Sequence, residues 1–199
     1  MTSRRSFLQT TALAAAAPLA GRASFALEAE PDPYAAVVDE RYAVARRFGA
    51  RASFDGLPMR AIGGDITALW FNELDLLWRR QPTAIAGLTE RPALFCLEQL
   101  GWPHRMRVVY HAEHRSLGSG DTLHRVTMPA LGLAAADLMA AGAGWPEFLA
   151  SALVDLPLHG AVGRGPSQAC MAAAGGGDEI SLHSWMLAPV RATLRGRGA

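Results

Sequence analysis

Lysine is absent from this sequence: all 19 basic residues are arginine. No amine side chain is available as a nucleophile or Schiff base. Cysteine is scarce, with 2 residues, Cys96 and Cys170. They form no Cys-x-x-Cys pair, so an iron–sulfur cluster, a c-type haem and a zinc ribbon all lack their ligands. The sequence implies no cofactor. Gly-x-Ser-x-Gly, a Walker loop and Gly-x-Gly-x-x-Gly are missing too, which removes the sequence signals of a hydrolase elbow and of phosphate-binding loops. The formal charge of +1 comes without basic runs, which argues against nucleic acid or an anionic membrane as partner. What the chain has in quantity is apolar surface: half of its 199 residues are hydrophobic, enough for one domain with a sizeable core.

The first 26 residues read differently from the rest. Arg4 and Arg5 are followed by Ser6, Phe7 and Leu8, then by an alanine-rich run from Thr10 to Ala20, and the stretch ends small-x-small at Ser24-Phe25-Ala26. It has no acids and no polar-face periodicity, which speaks against a helix of the mature domain. It is also too short and too alanine-rich for a stable membrane span. The stretch resembles a twin-arginine (Tat) signal peptide, and Arg22 near its end fits that type better than the Sec type. The resemblance implies removal of residues 1–26, transit through the Tat translocon and a periplasmic location for residues 27–199. Three of the 19 arginines and none of the 18 acids lie in the removed stretch, so the mature chain carries two more acids than bases. Tat substrates cross the membrane folded, often because a cofactor or partner is inserted in the cytoplasm. Folding in that reducing compartment, and the apolar helix around Cys96, favour two free thiols over a bridge.

The stretch from Pro58 to Arg115 sets the expected fold. An apolar run ending in glycine leads into an amphipathic helix, this repeats once, and a third apolar run follows. That is the grammar of a small α/β domain, with a mixed, largely parallel sheet, helices on both faces, and a hairpin and helices towards the C-terminus. Residues 35–48 read as a first helix, with Gly49 as its stop. Strands are expected at 59–62 and 83–87, side by side and parallel. The helix between them is capped by Asp65 and carries Ile66, Leu69, Trp70, Leu74, Leu77 and Trp78 on one face. The helix 90–100, apolar on nearly all sides, reads as buried. A hairpin of 106–112 and 123–128 places Glu113 opposite Arg125 and His114 opposite His124. Helices at 133–141 and 146–153, a glycine-rich loop at 157–177, a strand at 180–187 and an arginine-rich tail complete the chain.

Two constellations stand out. If the two strand–helix junctions share one edge of the sheet, Gly63, Gly64, Thr67, Gly87 and Thr89 line a site where amides and hydroxyls meet a polar or anionic ligand. The same residues also serve as ordinary turn and capping residues, and Asp65 already places negative charge at one helix end. The second constellation is histidine. His114 and His124 share one face of the hairpin, with His183 as the available third metal ligand; His111 and Glu113 share the other face. Two histidines at the open end of a hairpin also need no metal at all. Ser184 follows His183 directly, so the two side chains point to opposite faces and form no dyad.

Three functions fit these features. The first is a non-catalytic accessory protein or small subunit of a larger, cofactor-dependent periplasmic enzyme of the oxidoreductase type. The second is a periplasmic small-ligand or anion-binding protein using the paired helix N-termini. The third is a metal-dependent enzyme using the hairpin histidines.

Overall fold

The computed structural model describes residues 33–117, 121–128, 133–155, 167–170 and 180–190. The signal-like stretch and the arginine-rich tail lie outside the described residues. Seven strands form one mixed sheet in the order β2-β1-β3-β7-β4-β5-β6. Among the described residues, parallel pairing is confined to β1 (Ala36–Asp39) with β2 (Met59–Ile62) and with β3 (Ile85–Thr89). The other strands, β4 (Met106–Ser116), β5 (Thr122–Met128), β6 (Ser167–Cys170) and β7 (Ser181–Pro189), pair antiparallel. The α/β class and the mixed sheet are as expected from the sequence, but the sheet is mostly antiparallel where a largely parallel one was expected: three of its seven strands pair in parallel.

Several expectations change. Residues 36–39 are not helical but form the strand at the centre of the parallel part. Ala35 to Val38 are wholly buried, and a short apolar run buried on both faces has no periodicity to separate strand from helix. Strand β1 therefore lies between β2 and β3, which are not neighbours. Helix α1 (Ala43–Phe54) runs straight through Gly49, where a Cβ would come within 2.5 Å of Met59 Sδ and 2.9 Å of Val38 Cγ1. That glycine is there for close helix–sheet packing and does not stop the helix. Within the glycine-rich segment, residues 167–170 form the edge strand β6.

Helices cover both faces. Val38, Ala86, Tyr110, Ala112 and Met186 pack under α1, α5 (Ala135–Ala140) and α6 (Trp145–Val154). Val37, Ile85, Met106, Trp185 and Leu187 pack on the other side under a helix that begins as α2 (Thr67–Leu69), passes through a π-helical turn (Trp70–Leu74) and ends as α3 (Asp75–Arg80). The wider turn re-phases the helix, so that Trp70, Leu74 and Trp78 are all buried. The Trp70 and Trp78 rings meet edge to face at 5.8 Å. Helix α4 (Arg91–Gly101) joins this layer but is amphipathic rather than buried: Phe95 is half exposed and Cys96 is a free, exposed thiol. Among the described residues no helix is long and apolar enough to cross a membrane.

The chain leaves β1 by α1 on one face and returns from β2 by α2–α3 on the other. Sheet growth reverses there, and a constant crossover hand requires the faces to alternate. The reversal puts a topological switch point between β1 and β3, with a crevice outside their carboxyl ends.

Candidate functional site: a cavity over a buried imidazole pair

The switch-point crevice is filled by the protein itself. Asp39, at the end of β1, is wholly buried. Arg41 grips it with Nε on Oδ1 at 2.8 Å and Nη2 on Oδ2 at 2.6 Å, and reaches Glu90 Oε2 at 2.6 Å. Tyr42 donates its hydroxyl proton to Glu90 from the side, which holds that carboxyl below its ordinary range together with the Arg41 guanidinium. A cation therefore bridges the two strand ends where an anionic ligand was expected.

The residues proposed for that ligand have other work. Gly64 sits at φ +88°, and a Cβ on it would lie 2.5 Å from Arg41 Cζ. The Thr67 amide is held by Asp65 Oδ1 at 2.8 Å. A Cβ on Gly63 would meet nothing within 4 Å, so no close approach requires that glycine. Gly87 is not at a junction; it lies inside β3, opposite Trp185. The buried Thr89 hydroxyl accepts the Trp185 indole N–H at 3.0 Å and donates to the Glu90 carbonyl at 3.0 Å. Gly87 and Thr89 are buried in β3, whereas Gly63 and Thr67 are exposed beyond β2, and β1 separates the two strands, so the five do not line one site.

The cavity lies at the same edge of the sheet but further along it, on the α1 and α6 face. Its volume is about 540 Å³. Tyr42 to Val44 at the start of α1, His114 and Ser116 at the end of β4, Thr122 and His124 at the start of β5, Leu182 at the start of β7 and Trp145 line it. The hairpin register is as the sequence implied: His114 faces His124, and Glu113 faces Arg125 with an ion pair at 3.4 Å. Both histidines of the first pair are buried, at 2% and 3% exposure. Their Nδ1 atoms are 2.8 Å apart, and His114 Nε2 lies 2.7 Å from Ser184 Oγ. Trp145 stacks on His114 with centroids 4.3 Å apart and meets His124 edge-on at 5.1 Å.

Burial dominates the electrostatics. It holds His124 down at about 4, and it holds His114 well below the ordinary histidine range, with the neighbouring imidazoles adding to the effect. Both rings are neutral at pH 7, and each offers one donor and one acceptor.

His183 does not join them. It projects from the other face of β7, where His111 Nε2 lies 3.0 Å from His183 Nδ1 and the two rings stack at 5.2 Å. His111 also meets Thr127 Oγ1 at 2.7 Å, while Glu113 accepts from Ser181 Oγ at 3.0 Å rather than bonding His111. His111 is likewise held down at about 4, chiefly by burial and by the adjacent His183. The described residues contain no cluster of three or more metal-ligating side chains.

Sequence reasoning found the histidine pair but missed Ser184 and Trp145 as its companions. The alternation of β7 contained the signal for Ser184: it excludes contact with His183 and so turns Ser184 to the face that holds His114. Nothing local could have brought Trp145 over the pair, since it arrives from a separate helix. No family model, no curated protein and no solved structure matches the chain.

Proposed function

We propose that the mature chain is an exported small-molecule-binding protein that takes its ligand in the cavity over His114 and His124. The observation that carries this reading is an apolar-walled space of about 540 Å³ with a buried, neutral imidazole pair in its lining. Small-molecule sites combine mostly apolar walls with a few fixed polar groups, and they favour the carboxyl edge of α/β sheets. The ligand is uncharged. Arg47, the cation in the described lining, is bound to Glu147 at 2.6 and 2.8 Å and to the Ala143 carbonyl at 2.8 Å. A carboxylate or phosphate would find no unpaired cation there.

The test is to denature protein purified from the native periplasm and identify released small molecules by mass spectrometry, with Ala43→Trp as control. Ala43 is exposed and lies at the cavity mouth, so an indole there obstructs entry without entering the core. Wild type should release a neutral compound that the variant, at unchanged melting temperature, does not. Equal amounts from both proteins would sink the reading.

Attachment to a larger periplasmic enzyme is the second reading. It is favoured by the exposed aromatics Phe54, Phe71 and Trp102, at 83%, 69% and 64% exposure, since aromatic side chains are enriched at interfaces. Elution of the native protein as a lone monomer in size-exclusion chromatography of periplasmic extract would remove it.

A further inference from the structure

Floor and rim of the cavity are built differently. The floor is the imidazole pair under Trp145, and all three side chains are buried. Among the described residues, the exposed part of the lining is Ala43 and Arg47 on α1, Gly142 and Ala143 between α5 and α6, and Ile180 ahead of β7. A ligand therefore passes between α1 and the link that joins α5 to α6.

That link is a single 3-10 turn, Gly142–Gly144. Buried side chains anchor it on both sides, Leu138 in α5 and Trp145 at the start of α6. The turn itself is exposed. Gly142 sits at φ +54°, and a Cβ on Gly142 or Gly144 would meet nothing within 4 Å. No close packing requires either glycine. Two glycines around one alanine give the link the torsional freedom of a hinge.

Arg47 ties this link to α1. It lies one helical turn beyond Ala43 and donates from Nη2 to the Ala143 carbonyl at 2.8 Å. The same guanidinium grips Glu147, in the first turn of α6, with Nε on Oε1 at 2.6 Å and Nη2 on Oε2 at 2.8 Å. One side chain thus crosses the rim from wall to wall. Both members of the ion pair are partly exposed, at 47% and 35%. Pairs this exposed are weak, so the contact holds the link in place yet opens readily.

We propose that Arg47 is a latch: it holds the Gly142–Gly144 link across the cavity mouth, and a ligand enters or leaves when the latch opens. This rests on the cavity being the ligand site. The bonds that Arg47 makes are to protein groups, so opening costs the same with the ligand in or out. Loss of the latch therefore speeds entry and exit alike and leaves affinity unchanged. Losing one exposed ion pair and one carbonyl bond should raise the open fraction about three- to tenfold.

The test compares the mature protein with Arg47→Met, which keeps the aliphatic stem. Arg51→Met is the control; it removes another ion pair of α1, one whose arginine does not line the cavity. The probe is N-phenyl-1-naphthylamine, which is uncharged and brightens in apolar surroundings. Stopped-flow mixing and displacement give its entry and exit rates. Both rates should rise about three- to tenfold in Arg47→Met at unchanged Kd, and Arg51→Met should match wild type. High salt should speed exchange in wild type and not in Arg47→Met, where the pair it screens is gone. Unchanged rates in Arg47→Met, or an equal rise in Arg51→Met, overturn the latch. A changed Kd at an unchanged entry rate makes Arg47 part of the binding surface and overturns it too.

Amide hydrogen exchange reads the link without any ligand. The Gly144 N–H donates to the Ala141 carbonyl at 3.0 Å and should exchange about three- to tenfold faster in Arg47→Met. If the probe does not bind wild type, the ligand-site reading and the gating of a ligand both fail. Faster exchange at Gly144 then leaves Arg47 as a clamp on the link alone, and unchanged exchange removes that as well.

Discussion

Replacing Gly87 by alanine separates a packing role from a binding role at one atom's resolution. Gly87 lies in β3 opposite Trp185 of β7, and an added Cβ would sit 2.7 Å from Cε2 and 2.8 Å from Cη2 of that indole, and closer still to Cζ2. Its φ is not in the left-handed region, so the backbone accepts alanine without strain. Stiffening the unfolded chain alone would then stabilise the protein by about 0.4–1 kcal/mol. Against this, Trp185 is wholly buried and cannot move into solvent. Forcing a methyl against it costs about 1–3 kcal/mol. Any shift of the indole also strains its 3.0 Å bond to Thr89, worth about 1 kcal/mol. The net loss is about 1–3 kcal/mol, or roughly 2–12 °C in melting temperature for a domain of this size. Urea unfolding of the mature domain followed by tryptophan fluorescence measures it. Equal or raised stability would refute the packing argument. The neutral compound released by wild type should still be bound, since Gly87 does not line the cavity. Loss of affinity with stability intact would return Gly87 to the ligand site that the sequence suggested.

Four further outcomes are expected. Ser184→Ala strands a buried His114 nitrogen and should lower unfolding free energy by about 1–3 kcal/mol in urea melts. Arg41→Met leaves the wholly buried Asp39 carboxylate without its guanidinium and should lower the urea midpoint. For pH, the folded values of His111, His114, His124 and His183 all lie below the ordinary 6.5, with His111 and His124 at about 4. The unfolded chain therefore binds protons first as pH falls. Stability is complete above about 6.5 and should be lost between there and about 4, at up to about 1.4 kcal/mol per pH unit for each histidine. Urea midpoints at pH 7.5 and 5.5 should differ in wild type and differ less in His124→Gln. Finally, Lys in place of Arg4 and Arg5 should hold the precursor in the cytoplasm, read by cell fractionation; export through the Sec route would refute the signal.

The sequence by itself determined the local elements and their chemistry. Asp65 ahead of a three-and-four apolar spacing marks a capped helix. Alternation through Glu113 and His114 assigns the hairpin side chains to their faces, because strand periodicity leaves only two faces to choose between. The histidine pair was legible for that reason. Tertiary structure decided the rest. Residues 36–39 form a strand because neighbours bury both of their faces, a condition no local pattern encodes. Gly49 and Gly87 look like punctuation, yet each is small because a side chain from a distant element, Met59 or Trp185, occupies the space. Arg41 fills the switch-point crevice only after β1 and β3 come together and bring Asp39 and Glu90 within its reach. His114, His124, Ser184 and Trp145 meet because β4, β5, β7 and α6 converge, and those long-range contacts decide that two ordinary surface histidines become a buried neutral pair beside a cavity.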